Sequence, residues 1–190
     1  EKDLPDFSDY SMQGRTYRYF KGEPLYPFGF GLSYTKFAYR DLRVPRQVKA
    51  GQPVTVSVRV TNTGARAGDE VVQLYLTHVS APVPVPVRAL AGFQRVPLKP
   101  GESRTVSFTL TAEQLGVIGE DNRREVRPGV IEIAVGGKQP GFTGAADAAT
   151  WCAKWRMPAA RAASNSASIF PRGIVTKRPM AIRPRTMRIT

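Results

Sequence analysis

Val54-Thr55-Val56-Ser57-Val58-Arg59-Val60-Thr61 alternates without a fault: four valines on one side, four polar side chains on the other. Successive side chains of a strand point to opposite faces, so this octapeptide is a half-buried β-strand with its valines in a core. Asn62-Thr63-Gly64 follows as a turn signal. Downstream, Glu70 to Thr77 repeats the period, with Val72, Leu74 and Leu76 on one face and Val71, Gln73 and Tyr75 on the other. Upstream, Phe37, Tyr39, Leu42 and Val44 describe a first strand with a slip in its alternation.

The same grammar continues. Alternate prolines at Pro82, Pro84 and Pro86 cannot donate to a ladder, so this stretch is a loop or an edge crossing. Leu90 to Val96 is a short strand in which Gly92 permits a bulge or a close approach. Pro100-Gly101 turns the chain, and Arg104 to Leu110 places Val106, Phe108 and Leu110 inward. Thr111-Ala112-Glu113-Gln114 has the spacing of a capping box, which predicts one helical turn. After turns at Asp121-Asn122 and Pro128-Gly129, Ile131, Ile133 and Val135 alternate with Glu132 and Ala134. Strands separated by turn signals every ten residues or so predict an all-β, immunoglobulin-like sandwich of about seven short strands.

On either side the pattern changes. Residues 1–35 hold Tyr17, Tyr19, Phe20, Tyr26, Phe28, Phe30 and Tyr34 among Gly and Pro, with a period of neither 2 nor 3.6. An irregular linker this rich in rings is not a disordered one. The rings are expected to be buried against another surface, in preference to wrapping their own sandwich. The organisation is therefore an aromatic linker over 1–35, a sandwich over 36–140 and a basic, low-order tail over 141–190. Of 28 Lys and Arg, nine lie after Pro140 with a single acid, so +8 of the net +13 is a property of that tail. A basic tail without an ordered motif offers nucleic acid only salt-sensitive, non-specific contact, and no specific nucleic-acid partner is expected. No apolar run is long enough for a membrane-spanning helix.

Candidate chemistry is sparse. One cysteine, Cys152, and one histidine, His78, cannot build a structural zinc site, and no cofactor or metal is expected. Hydrolysis of a glycosidic bond needs two facing carboxyls about 5–9.5 Å apart. Asp69 and Glu70 are adjacent on a strand and diverge, and Glu120-Asp121 read as solvated turn acids. His78, near Ser80, lacks the acid and the oxyanion hole of a triad. Gly29-Phe30-Gly31 has no preceding strand or following helix and is not a nucleotide fingerprint. No catalytic residue is assigned.

Gly14-Arg15-Thr16-Tyr17-Arg18-Tyr19-Phe20 and Pro24-Leu25-Tyr26-Pro27-Phe28-Gly29-Phe30-Gly31-Leu32-Ser33-Tyr34-Thr35 resemble the segment leading into the C-terminal domain of glycoside hydrolase family 3, whose members are mostly β-glucosidases and β-xylosidases. Asn62-Thr63-Gly64, Gly68 to Tyr75, Leu90-Ala91-Gly92-Phe93 and Leu98-Lys99-Pro100-Gly101-Glu102 resemble that family's fibronectin type III-like domain. The resemblance runs from about Leu4 to Gly144. It implies a non-catalytic module whose partners are upstream catalytic domains of the same enzyme, which hold the nucleophilic Asp and the acid/base Glu. The seven rings named above would be the interdomain packing residues. It also implies a piece of a larger enzyme, of a family that is often periplasmic or secreted. Family members close the sandwich with one more alternating strand. After about Ala149 this sequence departs from them, so the last strand is expected to be lost through a frame change or truncation, leaving an open edge. The competing reading is an independent carbohydrate-binding or adhesion module, which predicts sugar affinity in the isolated chain.

Overall fold

The computed structural model describes residues 5–45, 48, 51–79, 81, 83–141 and 151–157. The four valines that open the argument sit on β2 (Val54–Asn62), and each is essentially inaccessible to water. β2 lies between β1 (Phe37–Arg43) and β5 (Ser103–Leu110) in an antiparallel three-stranded sheet. The second sheet is four-stranded, in the order β4 (Ala89–Leu98), β3 (Gly68–His78), β8 (Gly129–Gly136), β9 (Trp151–Met157). Between the sheets pack Val56, Val58, Leu74, Leu76, Leu98, Leu110, Ile133 and Val135, all buried. This is the two-layer solution for sheets with one apolar face each.

The local details follow the sequence closely. The slip in β1 is a register shift between Arg40 and Arg43, where Asp41 adopts a left-handed conformation (φ 56°). It returns Leu42 and Val44 toward the core. In β4 the ladder to β3 slips by one residue beside Gly92. A Cβ on Gly92 would stand 3.1 Å from the Phe108 ring, so the bare backbone lets the two sheets close there. Thr111 caps a single helical turn, α2 (Ala112–Leu115), by a reciprocal capping box with Gln114. A small hairpin of β6 (Val117–Ile118) and β7 (Arg124–Glu125) turns at Asn122 (φ 59°).

One expectation is corrected. The final strand is not lost: β9 pairs antiparallel with β8 from Gly129↔Met157 to Val135↔Trp151 and closes the edge that was expected to be open. Seven residues of period 2, Trp151-Cys152-Ala153-Lys154-Trp155-Arg156-Met157, suffice for a strand once β8 offers its free ladder. Composition, by which this stretch resembled the basic tail around it, carries no such information. Residues 142–150 and 158–190, including the expected low-order segment from Arg172 to Arg188, lie outside the described residues.

The sheets are tied at one end by a buried polar hub. Asn62, at the end of β2 and wholly buried, donates from Nδ2 to the carbonyls of Leu98 (3.0 Å) and Arg66 (2.8 Å). Its Oδ1 accepts from Thr35 Oγ1 (2.6 Å) and from the Gly64 N–H (3.0 Å). One amide thus joins β2, β4 of the opposite sheet, the 62–66 turn and the chain entering β1.

Candidate functional site

Proline and glycine break regular structure in the N-terminal segment, so it runs as an arm containing one helical turn, α1 (Thr16–Tyr19). The arm lies on the outer face of the four-stranded sheet. Tyr17 stacks on Phe28 with ring centroids 4.3 Å apart and meets Tyr75 of β3 edge-on at 6.4 Å. Tyr75 therefore has only 1% of its surface exposed, although its position faces away from the core. Its hydroxyl donates to Gln73 Oε1 (2.5 Å), and Gln73 Nε2 donates to the Gly137 carbonyl (2.9 Å). Burial pushes the Tyr75 phenol up, so it stays protonated. The arm backbone is also bonded: the Val87 N–H donates to the Arg18 carbonyl (2.7 Å) and the Leu90 N–H to the Tyr17 hydroxyl (3.3 Å).

The seven rings singled out in the sequence thus divide. Tyr17 and Phe28 are brought together over Tyr75. Tyr26 and Phe30 stack on each other at 5.0 Å, with Tyr26 64% exposed. Tyr19 is half-buried with the Arg18 guanidinium 5.9 Å from its ring centroid, and Phe20 is exposed. Tyr34 projects alone, 92% exposed. Within the arm opens a depression of about 310 Å³, lined among others by Tyr17, Phe20, Pro24, Tyr26 and Phe28 and, from the sandwich, by Gln139. Leu25 and Leu32 are exposed as well, so the arm presents several large apolar side chains to water. Sequence reasoning missed Gln73, Tyr75 and Gln139 beneath the arm. The available signal was Tyr75 itself, a large ring on the face of β3 opposite the core.

The acids are dispersed. Asp69 points outward and pairs with Arg95 (2.7 Å). Glu70 points between the sheets and accepts from the Tyr39 hydroxyl of β1 (2.5 Å). Asp121 pairs loosely with Arg123 at an exposed turn (3.9 Å). His78 is half-buried, and burial holds its imidazole below the ordinary range, neutral at pH 7. Among the described residues no three His, Cys, Asp or Glu side chains cluster as metal ligands. Asp69, Glu70 and Asp121 are thus each paired with a structural partner.

Burial raises the Glu70 carboxyl above its ordinary value, with the Tyr39 hydrogen bond partly opposing the shift. A raised folded pKa means the folded chain binds this proton more tightly than the unfolded chain, where a glutamate titrates near about 4.3. The Glu70 contribution is therefore complete in acid and is lost as pH rises through the folded value. The uncharged Glu70→Gln variant keeps an acceptor for Tyr39 and should gain stability relative to wild type between pH 4 and pH 7. Urea unfolding at both pH values checks this; a gain that shrinks as pH rises would contradict it.

Two antiparallel sheets in this order, packed face to face, define a small sandwich of the fibronectin type III kind. Residues 70–139 match the fibronectin type III-like domain, and the chain carries a domain of that family. More particularly, it is similar to the form of that domain carried by β-xylosidases and β-glucosidases. A β-xylosidase of Formosa agariphila is 46% identical over 133 residues, 70% of this chain and 18% of that protein. The solved β-glucosidase of Listeria innocua in complex with glucose matches with a TM-score of 0.63 and 32% identity, over 71% of this chain and 18% of that one. The GH3 β-glucosidase of Bifidobacterium adolescentis matches with a TM-score of 0.58 and 33% identity, over 68% and 18%. The chain thus spans under a fifth of the length of these relatives, which are larger proteins carrying this domain in the same chain. No helix among the described residues is long and apolar enough to cross a membrane.

Proposed function

We propose that this chain is the non-catalytic C-terminal module of a glycosidase acting on β-glucosides or β-xylosides, and that it stabilises the catalytic domains upstream. The observation that carries the reading is the arm: large exposed apolar side chains held on a domain whose Asp69, Glu70 and Asp121 are each engaged by a structural partner. The upstream domains are the partner it fits. Tyr17, Tyr19, Phe20, Tyr26, Phe28, Phe30 and Tyr34 are the interdomain packing residues, and their contribution is the removal of ring surface from water. The sugar chemistry belongs to the parent's other domains.

The isolated chain should hydrolyse neither aryl-β-glucosides nor aryl-β-xylosides. Chromogenic substrates test this at high protein concentration. Turnover that survives purification and disappears on changing Asp69 or Glu70 would overturn the reading. So would specific oligosaccharide binding by the isolated chain, which is the signature of an independent binding module.

A further inference from the structure

Among the contacts that join the arm to the sandwich, one side chain makes two. Gln139, just beyond β8 and 2% exposed, uses its carboxamide in two directions. Its Oε1 accepts from the Phe28 N–H (3.0 Å), and its Nε2 donates to the Tyr17 carbonyl (3.2 Å). Its own N–H donates to the Phe28 carbonyl (2.8 Å), so Gln139 engages both backbone polar groups of Phe28. The two arm residues so held, eleven positions apart, are the two whose rings stack on each other over Tyr75. Beside this clamp, Arg88 Nη1 donates to the carbonyl of Pro140, fixing the segment that carries Gln139. From the arm's side, Gly29 (φ 81°) lies directly on the Gln73 amide, where a Cβ would collide with the Gln73 side chain.

We propose that Gln139 is a positioning residue that holds the aromatic arm on the sandwich as a preformed docking face, ordered before any partner meets it. An arm rich in Gly and Pro, with a single helical turn, has little regular structure of its own to order it. A buried carboxamide that satisfies a donor on one arm residue and an acceptor on another supplies that order. Preformed rings lose less freedom when they dock, so association gains from order already in place. For its occupant, the upstream domains of the parent enzyme, the inference rests on the reading above; the order of the arm is a property of this chain by itself.

Residue-resolved amide exchange on the 190-residue chain tests it. In wild type the Phe28 and Val87 amides should be protected. Gln139→Ala should speed Phe28 exchange by about tenfold or more, while Val56 and Val58 in β2 keep their protection. Gly29→Ala, whose Cβ would collide with the Gln73 amide beneath the arm, should release the same amides. Wild-type Phe28 exchanging at the rate of a free peptide would overturn the proposal. So would an unchanged Phe28 rate in Gln139→Ala, or an equal loss of protection in β2, which would make Gln139 a general stability residue.

Discussion

Asn62→Ala should cost roughly 3–5 kcal/mol of unfolding free energy, since it deletes four side-chain hydrogen bonds and strands buried partners without replacement. The Leu98 carbonyl and the Thr35 hydroxyl have no water to turn to, because Asn62 is wholly buried and Thr35 is 8% exposed. The amide also joins the two sheets, so its loss loosens β2 against β4 and the chain entering β1 at once. For a domain of this size the change corresponds to a fall in melting temperature of about 10 °C or more. An exposed hydrogen bond nearby is the control: Thr61→Ala removes the contact to Ser103 Oγ (2.7 Å) and should stay within about 0.5 kcal/mol. Urea titration of both variants gives the comparison. A loss at Asn62 no larger than that at Thr61 would show that the hub contributes nothing beyond ordinary surface polarity.

How much of this was legible in the sequence depends on the range of the interaction. Strands were legible because alternation is local: Val54 to Val60, Ile131 to Val135 and the slip at Leu42 each announce a face. The capping box at Thr111 and Gln114 was legible for the same reason. β9 was not, because its seven alternating residues sit in a basic, Ala-rich context, and only the free ladder of β8 makes them a strand. The candidate site was half legible. Ring density marked the arm as a packing segment, yet Tyr17 and Phe28 turn back onto this sandwich while Tyr26 and Tyr34 project from it. What separates them is Gln139, more than a hundred residues away, and Tyr75, on a face that alternation assigns away from the core. Likewise, adjacency alone shows that Asp69 and Glu70 diverge. That Glu70 meets Tyr39 across the sandwich is a tertiary fact.

The projecting rings give the sharpest test of the interdomain role, since Tyr34 is almost wholly exposed and the stack of Tyr26 on Phe30 lies within the arm, apart from the core. Tyr26 is 64% and Tyr34 92% exposed, so the double variant Tyr26→Ala/Tyr34→Ala should barely change the melting of the isolated domain. Buried against upstream domains, each ring would contribute on the order of 1.5–3 kcal/mol. The same pair of changes in the full-length parent enzyme should then lower its melting temperature by several degrees. The kcat per correctly folded active site should remain near that of wild type, because on the proposed reading these rings pack between domains and take no part in the chemistry. Melting temperature and kcat per active site, measured on the full-length enzyme with and without these substitutions, are therefore the decisive pair. A lower melting temperature with kcat preserved is the predicted result; a large fall in kcat with unchanged melting, or no change in either, would contradict it.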